Sequence, residues 1–203
     1  MKKSARLLIC FVFTLGFGLC STGWSQVNVS PKGGNPQEIS LKKTILVDYH
    51  SWFENLTFNP TTGTRSGVKA IYYGFSANYD LTQYLTTWGW GTQLGIGQGY
   101  AVGDGDTNSY LQKRVSWNYL RGGGRIFKRL NGRTDLGLNL LIMYNKISWP
   151  QSDGTVSPGP NPFFSLFIEA RWRMTRQWEM IQALGNSTND AGANLRFGFG
   201  YTL

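Results

Sequence analysis

Apolar and polar residues alternate with a period of two through the last stretch of the chain, from Ala193 to Leu203. Every second residue is apolar or aromatic, and the residues between them are polar or small, including Arg196. Successive side chains of a β-strand point to opposite faces, so this stretch predicts a strand with one apolar and one polar face. The apolar face continues to Leu203.

The same alternation recurs in seven earlier stretches, which are separated by Gly, Asn, Asp, Pro and Ser. No long stretch shows helical periodicity, while glycine (26 residues) and aromatic residues (15%) are abundant, as in all-β proteins. The fourth strand loses its alternation at Gly122-Gly123-Gly124, which predicts a bulge or kink and leaves the faces of Arg121 and Arg125 undecided. The predicted strands lie at about residues 41–54, 67–79, 83–97, 110–127, 134–149, 164–174, 177–184 and 193–203.

The links between these strands alternate between long and short. The long links are residues 55–66, 98–109, 150–162 and 185–191, the last of intermediate length. The short links are a turn at Asp80-Leu81-Thr82, the hairpin signal Asn131-Gly132 and residues 175–177. Outer-membrane barrels have short periplasmic turns and longer external loops. The chain therefore predicts an eight-stranded antiparallel up-and-down β-barrel with both ends in the periplasm.

The start of the chain has the composition of a secretory signal peptide. Lys2, Lys3 and Arg6 precede an uncharged, mostly apolar run from Leu7 to Leu19, which is too short to span a membrane as a helix. Cleavage after Ser25 would remove both cysteines of the chain. The predicted organisation is a signal peptide (1–25), an N-terminal periplasmic segment (26–40) and an outer-membrane barrel (41–203).

The two faces of the strands differ in a way that favours a membrane. Uncharged strand centres and aromatic residues near strand ends characterise the lipid-facing side of a transmembrane barrel, where the aromatic residues form girdles at the bilayer interface. The predicted girdle residues are Trp88, Trp90, Trp117, Tyr119, Tyr144, Trp172 and Tyr201. The polar face is rich in glycine, which suits a small and crowded barrel interior. Its charged or titratable residues are Asp48, His50, Glu54, Glu169, Arg171, Arg173 and Arg196.

At this point the chain resembles the eight-stranded outer-membrane barrels of the opacity-protein and OmpA transmembrane-domain type, and more loosely OmpW. The signal Met1–Ser25, the alternating stretch Phe163–Met174 and the terminal Phe197–Leu203 carry the resemblance. The terminal stretch resembles the signal that the barrel assembly machinery reads through alternate residues, here Phe197, Phe199, Tyr201 and Leu203. It departs from that pattern at Leu203, where phenylalanine is usual. The resemblance implies a fold and a location in a Gram-negative-type outer membrane, in contact with its lipid and lipopolysaccharide.

The polar interior allows three functions. The first is a structural or interaction role through the external loops, with the interior plugged by a network of paired charges, because unpaired buried charges are costly. The second is a narrow channel for small solutes, and the third is a soluble exported barrel that binds a small apolar ligand. Catalysis is not expected, because alternation turns Ser51 away from His50, the sole histidine. No cofactor or metal is expected, and despite a net charge of +9 neither is a nucleic-acid partner.

Overall fold

The computed structural model describes residues 41–64, 66–104, 114–149, 154–157, 159–189 and 192–203. The predicted signal peptide and the segment 26–40 lie outside the described residues, and so do parts of the links 55–66, 98–109, 150–162 and 185–191. Within the described ranges we find no helix with the length and apolar character needed to cross a bilayer.

Eight antiparallel strands close into a ring, which confirms the predicted barrel. Each long strand pairs with its neighbours along the chain, and β1 closes the ring by pairing with both β2 and β9. A short strand, β6, lies outside this ring and pairs only with β1 among the described residues. The strands are β1 (Leu41–Pro60), β2 (Ser66–Tyr84), β3 (Trp88–Asp104), β4 (Val115–Arg129), β5 (Thr134–Ile147), β6 (Gly154–Ser157), β7 (Phe163–Arg173), β8 (Trp178–Ser187) and β9 (Asn194–Thr202).

The barrel has two unlike ends. Residues 85–87, 130–133 and 174–177 form tight turns at one end, where Leu41 and Leu203 also lie, and we call this end the short-turn rim. At the other end, the long-loop rim, β1 extends well past the pairing with β9, which stops at Ser51. There β6 pairs with β1 over Thr57–Pro60 and covers the edge that the shorter β9 leaves open.

Along most of each strand, side chains alternate between the outside and the inside of the barrel. Leu138, Ile168 and Phe199 point outward and are 46%, 58% and 42% exposed, while Asp48 and Arg196 point inward and are buried. A soluble barrel places apolar residues inside and polar residues outside, and a transmembrane barrel reverses this arrangement. The apolar exterior and charged interior are therefore those of a transmembrane barrel.

The predicted aromatic girdle is only partly correct. Trp88, Trp90, Tyr144 and Tyr201 are exposed on the outer face as predicted. The prediction was wrong for Trp117 and Tyr119, which are buried inside the barrel. Trp172 lies on the same face of β7 as the outward Ile168, but only 6% of it is exposed, so it does not contribute an exposed ring to the girdle. In β4, apolar residues occur on both faces, so alternation alone does not identify the lipid side. Packing inside the barrel stabilises Trp117 and Tyr119, because their rings stack on each other there.

The predicted bulge in the fourth strand is absent. β4 keeps one unbroken register with β3 and β5 through all three glycines, and Arg121 and Arg125 both point inward. At Gly123, which points inward, glycine is required for another reason. A Cβ atom there would lie 2.0 Å from the carbonyl oxygen of Leu140, so only glycine permits this close approach of two strands.

The predicted turn at Asp80-Leu81-Thr82 is also wrong. β2 continues to Tyr84, and β3 begins at Trp88 rather than near residue 83. The turn is closed by the Leu85 amide, which donates to the carbonyl of Trp88 at 2.8 Å. Asp80 and Thr82 have the composition of a turn, but both are buried inside the barrel, where arginines hold them.

The long links are shorter than predicted because the strands run further at the long-loop rim. β1 extends to Pro60, β2 begins at Ser66, and β3 continues to Asp104 rather than ending near Gly97. β6 lies within the predicted link 150–162. The strands in this part of the barrel therefore project beyond the length needed to cross hydrocarbon, which is about 9–11 residues for a tilted strand.

Candidate functional site

The inner wall of the barrel near its middle carries a network of buried charges centred on Asp48. Arg196 donates to Asp48 at 2.6 Å, and Arg121 also donates to the same carboxylate, as does the Ser76 hydroxyl. Arg121 is further held by Asn78, whose side-chain oxygen accepts from Nε at 2.7 Å. One carboxylate thus pairs with two guanidinium groups from strands on different sides of the ring.

Glu169 is a second centre closer to the short-turn rim. Its carboxylate accepts from Arg171 Nε at 2.6 Å and from Asn139 at 2.7 Å. Arg125 and Arg196 lie 3.4 and 3.5 Å from it. Because Arg196 contacts both Glu169 and Asp48, the two centres form one connected network.

The network continues to the short-turn rim through Arg171. This side chain also binds Asp80 at 2.6 Å and Glu179 at 3.1 Å, and Glu179 in turn pairs with Lys42. Arg173 pairs separately with Asp135 at 2.9 Å, nearer the solvent.

The charges of this network nearly cancel. Nine ion pairs join the carboxylates of Asp48, Asp80, Asp135, Glu169 and Glu179 to the basic groups of Lys42, Arg121, Arg125, Arg171, Arg173 and Arg196. Removing an ion from water costs several kcal/mol, an expense that close pairing and hydrogen bonding offset. The described interior is therefore built to hold charge in place rather than to present one sign of charge to a passing ion.

The half of the interior nearer the long-loop rim is aromatic and apolar, which the sequence did not predict. Trp52 stacks on Tyr72 with ring centroids 4.7 Å apart and meets Trp117 edge-on at 5.0 Å. Trp117 stacks on Tyr119 at 4.9 Å. These rings are at most 4% exposed, and Leu141, Met143, Phe163 and Phe167 pack around them.

Inward-facing glycines on β3 make room for these large side chains. A Cβ atom at Gly97 would lie 2.5 Å from the ring of Tyr119, and one at Gly99 would lie 2.6 Å from the ring of Trp117. At Gly95 the added atom would overlap the side chain of Asn78. The glycine-rich face of this strand therefore lets side chains from neighbouring strands fill the barrel.

The seven residues predicted for the polar face occupy four different environments. Asp48, Glu169, Arg171 and Arg196 belong to the connected network, and Arg173 belongs to the separate pair at the short-turn rim. His50 is buried among Trp52, Tyr119 and Phe167, and within the described residues neither ring nitrogen has a hydrogen-bond partner.

Glu54 lies apart, close to the long-loop rim. Its carboxylate accepts from the Gly159 amide at 3.3 Å and from the Asn189 side chain at 3.2 Å. Beside it is a cavity of about 210 Å³, which is also lined by Asn145 and Phe163.

The sequence missed several members of the network for identifiable reasons. Asp80 was assigned to a turn, and Arg121 and Arg125 flank the three glycines at which the alternation of the fourth strand is lost. Asp135 was placed on the polar face of its strand without being selected as a site residue. Lys42 and Glu179 lie at strand ends, where too few alternating residues precede them to identify their face. Only the closed ring brings these side chains together, since their partners lie on strands far apart in the chain.

The structure offers no assembled catalytic or metal-binding group among the residues it describes. His50 points inward and Ser51 lies on the opposite face, so the two do not meet. No group of three or more His, Cys, Asp or Glu side chains there is placed to hold a metal ion. Beside Arg125, Glu169 and Arg171 there is no space for a water molecule, so this level of the barrel is filled by side chains.

Comparison with known proteins gives similarity to solved structures only. No family model matches the chain, and no curated protein matches it. The outer membrane protein Ail of Yersinia pestis, in a phospholipid nanodisc, is 12% identical with a TM-score of 0.47, covering 81% of this chain and 100% of that one. An outer membrane channel from Pseudomonas putida F1 is 9% identical with a TM-score of 0.44, covering 87% and 100%. Neisserial surface protein A is 10% identical with a TM-score of 0.41, covering 79% and 97%.

These identities and scores are too low to transfer a function. The chain's own geometry establishes a closed, eight-stranded barrel of the transmembrane type, whose described interior is filled by a charge network and an aromatic cluster.

Proposed function

We propose that this protein is an integral outer-membrane barrel that acts as an anchor, with its long loops directed to the outside and both chain ends in the periplasm. The inverted polarity of the barrel is the observation that supports this proposal. Leu94, Ile96 and Ile168 are more than half exposed, whereas every acidic side chain that the structure describes is buried. Such an exterior would be unfavourable in water and is stable in hydrocarbon.

The proposal also includes the type of barrel and the way in which the barrel is assembled. We place the chain with barrels of the opacity-protein and OmpA transmembrane-domain type, in contact with outer-membrane lipid and lipopolysaccharide. Phe197, Phe199 and Tyr201 face outward on β9, the strand that closes the ring with β1, and Leu203 is exposed directly after it. Alternate outward residues on a closing strand suit recognition by the barrel assembly machinery.

An interaction role fits the interior better than transport. The network around Asp48 and Glu169 and the aromatic cluster around Trp52 fill successive levels of the barrel. An eight-stranded barrel has an interior that side chains can fill completely. The narrow channel and the soluble carrier of an apolar ligand are the competing functions, and the packed interior opposes both.

The test is the location and the folded state of the protein in a Gram-negative host. We expect the mature chain in the outer-membrane fraction, with a gel mobility that changes on heating, because a closed barrel resists unfolding in detergent until it is heated. Recovery in the soluble periplasmic extract would overturn the membrane assignment and favour the soluble carrier. Protease treatment of intact cells tests the orientation, since cleavage should occur only in the long loops.

A further inference from the structure

The exposed charged side chains that the structure describes share one sign. The six acidic residues whose side chains the structure describes are all buried, with at most 3% of each exposed. Every charged side chain exposed on the described outer surface is therefore a lysine or an arginine. The reason is that the described carboxylates lie inside the barrel, most of them in the charge network, while some of the lysines and arginines lie on the outside.

Among the residues that the structure describes, exposed and partly exposed basic side chains are more numerous at the short-turn rim than at the long-loop rim. Lys43, Lys128 and Arg176 are exposed there, and Arg129 and Arg133 are partly exposed. Lys43 and Lys128 point outward by the alternation of β1 and β4, away from the barrel interior. The three turns that form this rim are described completely, and none of them carries an acidic residue.

An aromatic belt marks the level of the bilayer interface at the same rim. Trp88, Trp90, Trp178 and Tyr201 face outward, and Trp178 and Tyr201 are in edge contact at 5.2 Å. Trp88 is the direct cross-strand partner of Lys128. Tryptophan and tyrosine prefer the headgroup level of a bilayer, so the neighbouring cations lie where lipid phosphates are found.

We propose that the short-turn rim binds the headgroups of anionic phospholipids, an inference that rests on the proposed membrane location. The basic residues lie on β1, on β4 and in the turns that follow β4 and β7, so they are spread around the ring rather than gathered in one patch. A shell of lipids can meet cations all around a barrel, whereas a compact protein partner would need them on one side. Lysine and arginine bind phosphate through charge-assisted hydrogen bonds.

The long-loop rim supplies a matched control. Of the side chains described at that rim, those of Lys69, Arg114 and Lys146 are exposed cations, the same number as the fully exposed cations described at the short-turn rim. The short-turn rim differs in having the additional Arg129 and Arg133 and an uninterrupted set of tight turns. A triple substitution at each rim therefore removes the same charge from the protein while changing only its position.

The experiment uses the full mature chain reconstituted into vesicles of equimolar phosphatidylcholine and phosphatidylglycerol. Native mass spectrometry then measures the enrichment of phosphatidylglycerol among the lipids that stay bound. We expect the triple variant Lys43→Gln, Lys128→Gln, Arg176→Gln to lower this enrichment about tenfold, since each cation near an anionic surface contributes measurably to binding. The charge-preserving variant Lys43→Arg, Lys128→Arg, Arg176→Lys should keep it.

The controls separate this inference from the proposed function. Lys69→Gln, Arg114→Gln, Lys146→Gln should cause a clearly smaller loss, and an equal loss would show that total charge rather than the short-turn rim is responsible. Absence of enrichment in the wild-type protein, or no loss in the short-turn variant, would also overturn the inference. Heat-modifiable mobility in the same vesicles reports insertion, and wild-type protein that fails to insert would refute the membrane proposal itself.

Discussion

Asp48 shows how much one residue contributes to the interior of this barrel. It accepts hydrogen bonds from Arg121, Arg196 and Ser76, and it is almost wholly buried. The sequence predicted that Asp48 and Arg196 face inward, because each lies on the polar side of an alternating strand. It did not reveal that they meet, since that contact depends on the pairing of the first and last strands of the ring.

Replacing Asp48 with alanine should destabilise the protein strongly. Removing one partner of a buried ion pair costs about 3–5 kcal/mol, because the other charge is left without compensation. Here two guanidinium groups lose their carboxylate, so we expect a loss at the upper end of that range. Urea unfolding in lipid vesicles measures the change. Thr61→Ala in the exposed loop after β1 is the control, expected to stay within about 0.5 kcal/mol of the wild type.

Two glycines that look alike in the sequence should respond differently to alanine. A Cβ atom at Gly99 would lie 2.1 Å from the carbonyl oxygen of Tyr73, whereas at Gly122 the nearest atom would be Leu94 Cδ1 at 3.6 Å. We expect Gly99→Ala to cost about 1–3 kcal/mol of unfolding free energy through overpacking, and Gly122→Ala to be nearly neutral. Equal effects in the same unfolding assay would contradict the assigned faces of β3 and β4.

At the scale of single strands, alternation predicts the faces well where the charged residues near the strand middle all lie on one face. The middles of β5, β7 and β9 have apolar, uncharged outer faces, and the charged residues there, such as Glu169 and Arg196, point inward, so their predicted orientation is confirmed. β4 differs because both of its faces contain apolar residues, so the pattern did not distinguish an aromatic interior from a lipid-facing girdle. The strand ends were predicted less well, because side chains such as Asp80 resemble turn residues until an interior partner is known.

A charge placed on the lipid face of β5 or β7 tests this assignment. Leu138 and Ile168 are direct cross-strand partners near the middle of their strands, and both point outward. We expect Leu138→Arg or Ile168→Arg to cost about 2–4 kcal/mol of folding free energy in bilayers, because arginine is unfavourable at the bilayer midplane. Leu130→Arg, in the turn after β4, should cost at most about 1 kcal/mol. A neutral result at Leu138 would mean that this face does not meet hydrocarbon.

At the scale of the whole molecule, the barrel is a shell of lipid-facing residues around a two-layered interior. The layer near the short-turn rim is ionic and is connected through Arg171 and Arg196, and the layer near the long-loop rim is aromatic and centred on Trp52. The ionic layer fixes strands from opposite sides of the ring to one another. The aromatic layer keeps water at the long-loop rim away from the ion pairs, and this lower local dielectric strengthens them.

This arrangement predicts a barrel that does not conduct. We expect wild-type protein in planar lipid bilayers to show no stable single-channel current, because side chains occupy both layers of the described interior. The double variant Trp52→Ala, Trp117→Ala removes two of the largest buried rings and serves to test whether the aromatic layer contributes to closure. Reproducible conductance steps from the wild type would instead favour the narrow channel.

The sequence by itself determined the class of fold and, for most strands, which face points outward. It also determined that Asp48, Glu169, Arg171 and Arg196 point inward. It could do so because strand alternation is a local property, written into neighbouring residues. Only the tertiary structure decided the ion pairs, the inward position of Trp117 and the continuity of β4 through its glycines. These depend on which strands pair and in what register, and closing the ring brings together residues as distant in the chain as Asp48 and Arg196.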